Sequence, residues 1–232
     1  MTNDIQQLYT RLIDRRFDIQ LANSSQNELS TDTDFYMDLL CAFHKPEDFD
    51  AQKFFRHPLD LIIKYLKHTH QFYITKNLPE IELAISLIAE HRPDLRWLQA
   101  TMSTYYLQLH DHLKKHLEDE EINLFPYIEA LIKAERSRKL SYDLPRKIKL
   151  MDFLLDHSHD IENDLKDLVA KLKTMEEQYQ DSFAFRMLVT RLSVFELDLR
   201  IHARIEDEVL MPMAFELENK VLKAPDISIQ NS

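Results

Sequence analysis

The chain has 232 residues, with 29 basic against 40 acidic side chains and a formal net charge of −11. That balance argues against nucleic acid or an anionic membrane as a partner, since both select clustered Lys and Arg. With no glycine at all, Gly-rich phosphate-cradling loops are excluded.

Helix-forming Leu, Lys, Glu, Gln and Ala are plentiful, and the pattern predicts an all-α protein. Residues 1–22 show helical spacing at Ile5, Leu8, Leu12, Ile13 and Phe17. A polar linker or long turn follows over Asn23–Asn27, and then Ser30-Thr-Asp-Thr-Asp34 is read as the cap of a short helix over 34–43. The main helices are predicted at 58–77, 80–91, 94–135, 146–176 and 182–220. The first two form one arm interrupted at Leu78-Pro79, and Pro126 and Pro212 should each kink or end their helices. The expected architecture is an up-down-up-down four-helix bundle over 57–223, with a small helical N-terminal region over 1–56 and a tail over 224–232. The basic stretch Lys133–Lys139 reads as a solvated loop between two helices. Neither a signal peptide nor a membrane span is visible, so a cytoplasmic location is expected. The single cysteine, Cys41, excludes an intramolecular disulfide and a Cys-rich metal site, and is expected to be a small buried apolar residue.

One eleven-residue pattern occurs twice, as His116-Leu-Glu-Asp-Glu-Glu-Ile-Asn-Leu-Phe-Pro126 and His202-Ala-Arg-Ile-Glu-Asp-Glu-Val-Leu-Met-Pro212. Residues four apart on a helix share a face, so each copy aims an imidazole and a carboxylate at one point: His116 with Glu120, and His202 with Glu206. His70 precedes His116 by 46 residues and His157 precedes His202 by 45, which divides the chain into two similar halves. Each gap reads as a helical hairpin, turning near Pro93 and near Tyr179–Asp181. Arms of roughly 22 residues carry the chain about 33 Å out and back, so His70 can face His116 and His157 can face His202.

Four imidazoles and two carboxylates form a nitrogen-and-oxygen donor set that suits iron or manganese, with zinc fitting too. Redox work favours iron, and Glu120 and Glu206 are expected to bridge two ions, each ion taking two histidines. The ferritin-like arrangement depends on Glu-x-x-His, which the chain lacks.

The order His70, His116-x3-Glu120, His157, His202-x3-Glu206, with the Leu-Phe-Pro and Leu-Met-Pro endings, resembles the hemerythrin-like HHE cation-binding domain. Within it, the chain is most similar to the di-iron proteins that repair iron centres. The resemblance implies a non-haem di-iron centre on His70, His116, Glu120, His157, His202 and Glu206. It also implies a stress-response role in supplying or mobilising iron for iron–sulfur clusters damaged by nitric oxide or peroxide. Damaged iron–sulfur proteins would be the partners, and a small diatomic ligand could bind. The competing expectation is a hemerythrin-like protein that binds or senses oxygen or nitric oxide. Ile161 stands where oxygen carriers have a further histidine, and Cys41 stands alone where the repair proteins carry an adjacent cysteine pair.

The remaining histidines are read more plainly. His68, His110 and His159 should point away from the site, whereas His112, one turn before His116, could line or support it. His44 and His57 are read as structural or exposed, and Tyr105, Tyr106 and Phe195 as core packing. Glu121 and Asp207, about 100° around the helix from the paired carboxylates, are expected to be uninvolved.

Overall fold

A computed structural model describes residues 26–137, 139–140, 150, 161–223 and 228–229. The expected helix over 1–22, the tail beyond 229 and the part of the 146–176 helix holding His157 and His159 lie outside the described residues. The described helices are α1 (Gln26–His44), α2 (Ala51–Phe54), α3 (Leu59–Phe72), α4 (Leu78–His91), α5 (Arg96–Asp119), α6 (Phe125–Ser137), α7 (Ile161–Thr174), α8 (Phe183–Ile205) and α9 (Met211–Lys223). A two-residue parallel pairing joins Lys139–Leu140 to Ser228–Ile229. The fold is otherwise helical among the described residues.

Three pairs of helices are spliced end to end by π turns, at Tyr73–Asn77, Glu120–Leu124 and Glu206–Leu210. In each turn the amide of the residue just before a proline reaches back five residues: Leu78 to the Tyr73 carbonyl, Phe125 to Glu120 and Met211 to Glu206. The expected interruption at Leu78-Pro79, and the expected kink or stop at Pro126 and Pro212, are thereby corrected. A proline has no N–H to donate and its ring crowds the carbonyl four residues back. Widening the preceding turn by one residue moves that carbonyl aside and lets the helix continue.

Other boundaries also differ. Ser30–Asp34 lie inside α1 rather than capping a short helix. Their modest propensity cost is offset by an inward stripe of Phe35, Leu39, Ala42 and Phe43, at intervals of three and four residues. Cys41 falls off that stripe and is exposed, contrary to its expected burial. Lys133–Ser137 belong to the last turns of α6 rather than to a loop, and Arg136 pairs with Asp60 across to α3 at 2.9 Å.

The long helices pack side by side: α4 contacts α5 and α8, and α7 contacts α5 and α8. The two hairpin turns expected from the sequence are present, as a 3₁₀ turn at Pro93–Leu95 and a turn closed by Ser182, which caps α8 by accepting from the Phe185 amide at 3.3 Å. Arg92 pins these tips together, donating to Asp94 at 2.8 Å on its own turn and to Asp181 at 3.1 Å on the other.

The apolar interior is split in two. One cluster gathers α1, α3, α6 and α9 around Phe35, Ile62, Leu66, Phe125 and Met211. The other gathers α4, α5, α7 and α8 around Tyr73, Ile88, Met102 and Phe195. Of the structural or exposed readings given for His57, the structural one holds, since it is buried. Its Nε2 lies 2.7 Å from the Asp38 carboxylate, which also accepts from Arg56 at 2.6 Å, and Phe35 meets the ring edge-on. This link joins α1 to the chain ahead of α3. Among the described residues, no helix is long and apolar enough to cross a membrane.

Candidate metal centre

The π turns set the level at which the two apolar clusters meet, and the histidines and glutamates singled out from the sequence converge there. His70, His116 and His202 lie in the last turns of α3, α5 and α8. Glu120 and Glu206 each open a π turn. His70, His202, Glu120 and Glu206 are buried, Glu120 with no exposed surface at all. His116 keeps about a quarter of its side chain in contact with solvent.

Two groups of donors result. His70, Glu120 and His202 form one, and His116, Glu120 and Glu206 form the other, with the ligand atoms of each group within 4.8 Å of one another. Glu120 belongs to both. Its Oε2 lies 3.1 Å from His70 Nε2 and its Oε1 lies 2.7 Å from His116 Nε2. His70 Nε2 and His202 Nε2 face each other at 3.2 Å, and His202 Nε2 stands 4.0 Å from Glu206 Oε2.

The expected facing of His70 and His116 is therefore corrected. Both approach Glu120, but the ring that His70 meets directly belongs to His202. Hairpin length sets the height of His70 but not its neighbour, because at this level α3 lies against the π turn that follows α8.

Each of the two groups could hold a metal ion. The imidazole nitrogens are close to the Glu120 oxygens without satisfying hydrogen-bond geometry. Two donors at right angles, each about 2.1 Å from one ion, lie about 3 Å apart, close to the observed His70–Glu120 and His70–His202 separations. Two ring nitrogens aimed at one another suit a shared cation, whereas neutral imidazoles need one to donate and two imidazoliums repel. Burial pushes the Glu120 carboxyl up, but the adjacent His116 and His70 outweigh it and hold it well below the usual carboxylate range. Glu120 is thus an anion in the interior, poised for cations.

Several contributors were not foreseen from the sequence. Glu121 lies 3.1 Å from His70 Nδ1, although its place about 100° around the helix from Glu120 reads as uninvolved. From that position its long side chain reaches one ring nitrogen of His70 while Glu120 reaches the other. Asp207, the matching residue of the second copy, has its carboxyl pushed up by burial and by Glu120 and Glu208, against the pull of His116. It too belongs to the surroundings of the site. Phe125 stacks on His70 with ring centroids 5.3 Å apart. Tyr73 sits edge-on to His202 at 5.5 Å and donates its hydroxyl to the buried Asp198 carboxylate at 3.2 Å. The signal that could have revealed the turns was in plain view: a proline six residues after each of Tyr73, Glu120 and Glu206.

The other expectations resolve individually. His112 is exposed, and His110 bonds its neighbour Asp111 at 3.2 Å. Phe195 and Tyr106 are buried in the second cluster, Tyr105 packs against that cluster, and His44 is exposed.

Comparison of the chain with protein-family models, with curated proteins and with solved structures gave no match. The residues themselves therefore carry the functional reading.

Proposed function

We propose that the chain is a hemerythrin-like, non-haem di-iron protein, built as an up-down-up-down four-helix bundle over 57–223. In this reading one iron is held by His70, Glu120 and His202, and the second by His116, Glu120 and Glu206, with His157 as the remaining ligand. The protein supplies or mobilises iron for iron–sulfur clusters damaged by nitric oxide or peroxide, so that damaged iron–sulfur proteins are its partners. One observation carries the reading: a fully buried carboxylate, Glu120, is shared by two groups of three ligands built from a duplicated motif.

A buried anion facing several imidazoles is costly unless a cation compensates it. The all-nitrogen-and-oxygen set suits iron, with manganese and zinc fitting less well for redox work. Bound iron would supply redox chemistry and open positions for a small ligand. The chain's own residues orient the ligands and keep bulk water away, through Phe125 against His70 and Tyr73 against His202. The partial exposure of His116 leaves one side of the pair closer to solvent, the side from which iron could leave for an acceptor.

The test is anaerobic loading with ferrous iron, followed by elemental analysis and incubation with a nitric oxide-damaged cluster enzyme. Two irons per chain and recovery of the acceptor's activity are expected. No more than one iron per chain would defeat the two-ion reading. A stable, reversible oxygen spectrum without iron transfer would favour the oxygen- or nitric oxide-binding alternative.

A further inference from the structure

The structure assigns Glu121 as the positioning residue for His70, on the reading of the site given above. His70 is held at three places. Its Nε2 faces the interior, 3.2 Å from His202 Nε2 and 3.1 Å from Glu120. Its Nδ1 lies 3.1 Å from Glu121 Oε1, and its face stacks on Phe125. Glu120, Glu121 and Phe125 all come from one π turn and its closing residue, so a single local distortion supplies the shared ligand, the group behind the ring and the surface beneath it.

A carboxylate accepts but cannot donate, so Glu121 holds a proton on Nδ1 of His70 when a metal ion takes the place of the proton that Glu120 and His202 would otherwise share at Nε2. The Nε2 lone pair is then turned toward Glu120 and His202, where a metal ion would take it. A ligating imidazole backed by a carboxylate is both better aimed and more basic, and losing such a partner commonly weakens metal binding 10- to 100-fold. Glu121 is 38% exposed, so the pair contributes little to stability, and a positioning role separates cleanly from a structural one. Glu120 and Glu121 thus address the two ring nitrogens of His70 from adjacent positions of one helix.

The experiment uses the full chain and ferrous iron alone, under anaerobic conditions, with Glu121→Ala, Glu121→Gln and, as a surface control, Glu118→Gln. Glu121→Ala should weaken one of the two irons 10- to 100-fold and leave the other near the wild-type affinity. Its thermal midpoint without metal should be unchanged. Glu121→Gln, whose amide oxygen still accepts from Nδ1–H, should recover most of the loss. Long-range ¹H–¹⁵N spectra of the metal-free chain should show a slowly exchanging His70 Nδ1–H in the wild type that is lost in Glu121→Ala. Wild-type iron affinity for both ions in Glu121→Ala, or an unchanged His70 Nδ1–H signal, would overturn the assignment. If the wild type bound no iron, the di-iron reading would fail, and the Nδ1–H measurement would still decide the role of Glu121.

Discussion

Because Glu120 lies in both ligand groups and Glu206 in one, the two carboxylates should differ in what their removal does to metal-dependent stability. A ligand at a hundred times its dissociation constant stabilises the folded state by about 2.7 kcal/mol per site. For a chain of this size, 1 kcal/mol moves the melting midpoint by roughly 2–4 °C. Each ion should therefore raise the midpoint by about 5–11 °C, and two ions by about twice that. Glu120→Ala removes a ligand from both groups, so its metal-induced shift should fall nearly to zero. Glu206→Ala removes a ligand from the His116 group alone and should keep about half. The assay is thermal unfolding followed by circular dichroism with and without ferrous iron, each variant referred to its own metal-free midpoint so that cavity costs cancel. A half-sized shift in Glu120→Ala, or a complete loss in Glu206→Ala, would refute the shared-ligand geometry.

Phe125→Ala should cost about 3–5 kcal/mol by urea denaturation, as for a fully buried phenylalanine, and should also loosen His70 and weaken iron binding; wild-type affinity would show that the stack does not hold the ring. Pro126→Ala should let the Glu120–Leu124 turn relax toward α geometry, so that helix content is kept while iron titration shows weaker binding; unchanged affinity would mean that packing, not proline, maintains the π turn. Burial, with Asp164 adding to it, pushes the Tyr105 phenol from 10.0 up to about 12. A raised pKa means that stability is fully present below the unfolded value and is lost as pH rises toward the folded one. Denaturation free energy should therefore fall between pH 10 and about 12, and Tyr105→Phe should flatten that fall; identical profiles would contradict it.

Helical character is legible from the absence of glycine and from spacing; the duplicated motif by itself names four of the five described members of the proposed ligand set, and the 46-residue spacing to His116 adds His70. Motif spacing reports which residues share a face of one helix. It does not report which helix lies opposite, so it does not single out His202 as the ring that meets His70. Glu121 follows the same rule, since a step of about 100° around one helix does not keep a long side chain from reaching a histidine on another. Proline was read as a terminator because local chemistry says so, whereas packing on both sides of each π turn keeps the helix going. The docking of α1 depended on a buried His57–Asp38 contact between segments with no shared periodicity. Nothing in either segment by itself announces it.

The polar layer between the two apolar clusters also governs how the helices can be aligned along their axes. Aliphatic side chains of similar size tolerate a slip of one helical turn, because the same face still points inward. Here such a slip would carry Glu120 to the level of Leu117 or Leu124, both buried, and leave a carboxylate among hydrocarbon. The same groups that invite a cation therefore act as a vernier mark, admitting one axial alignment where leucines would admit several.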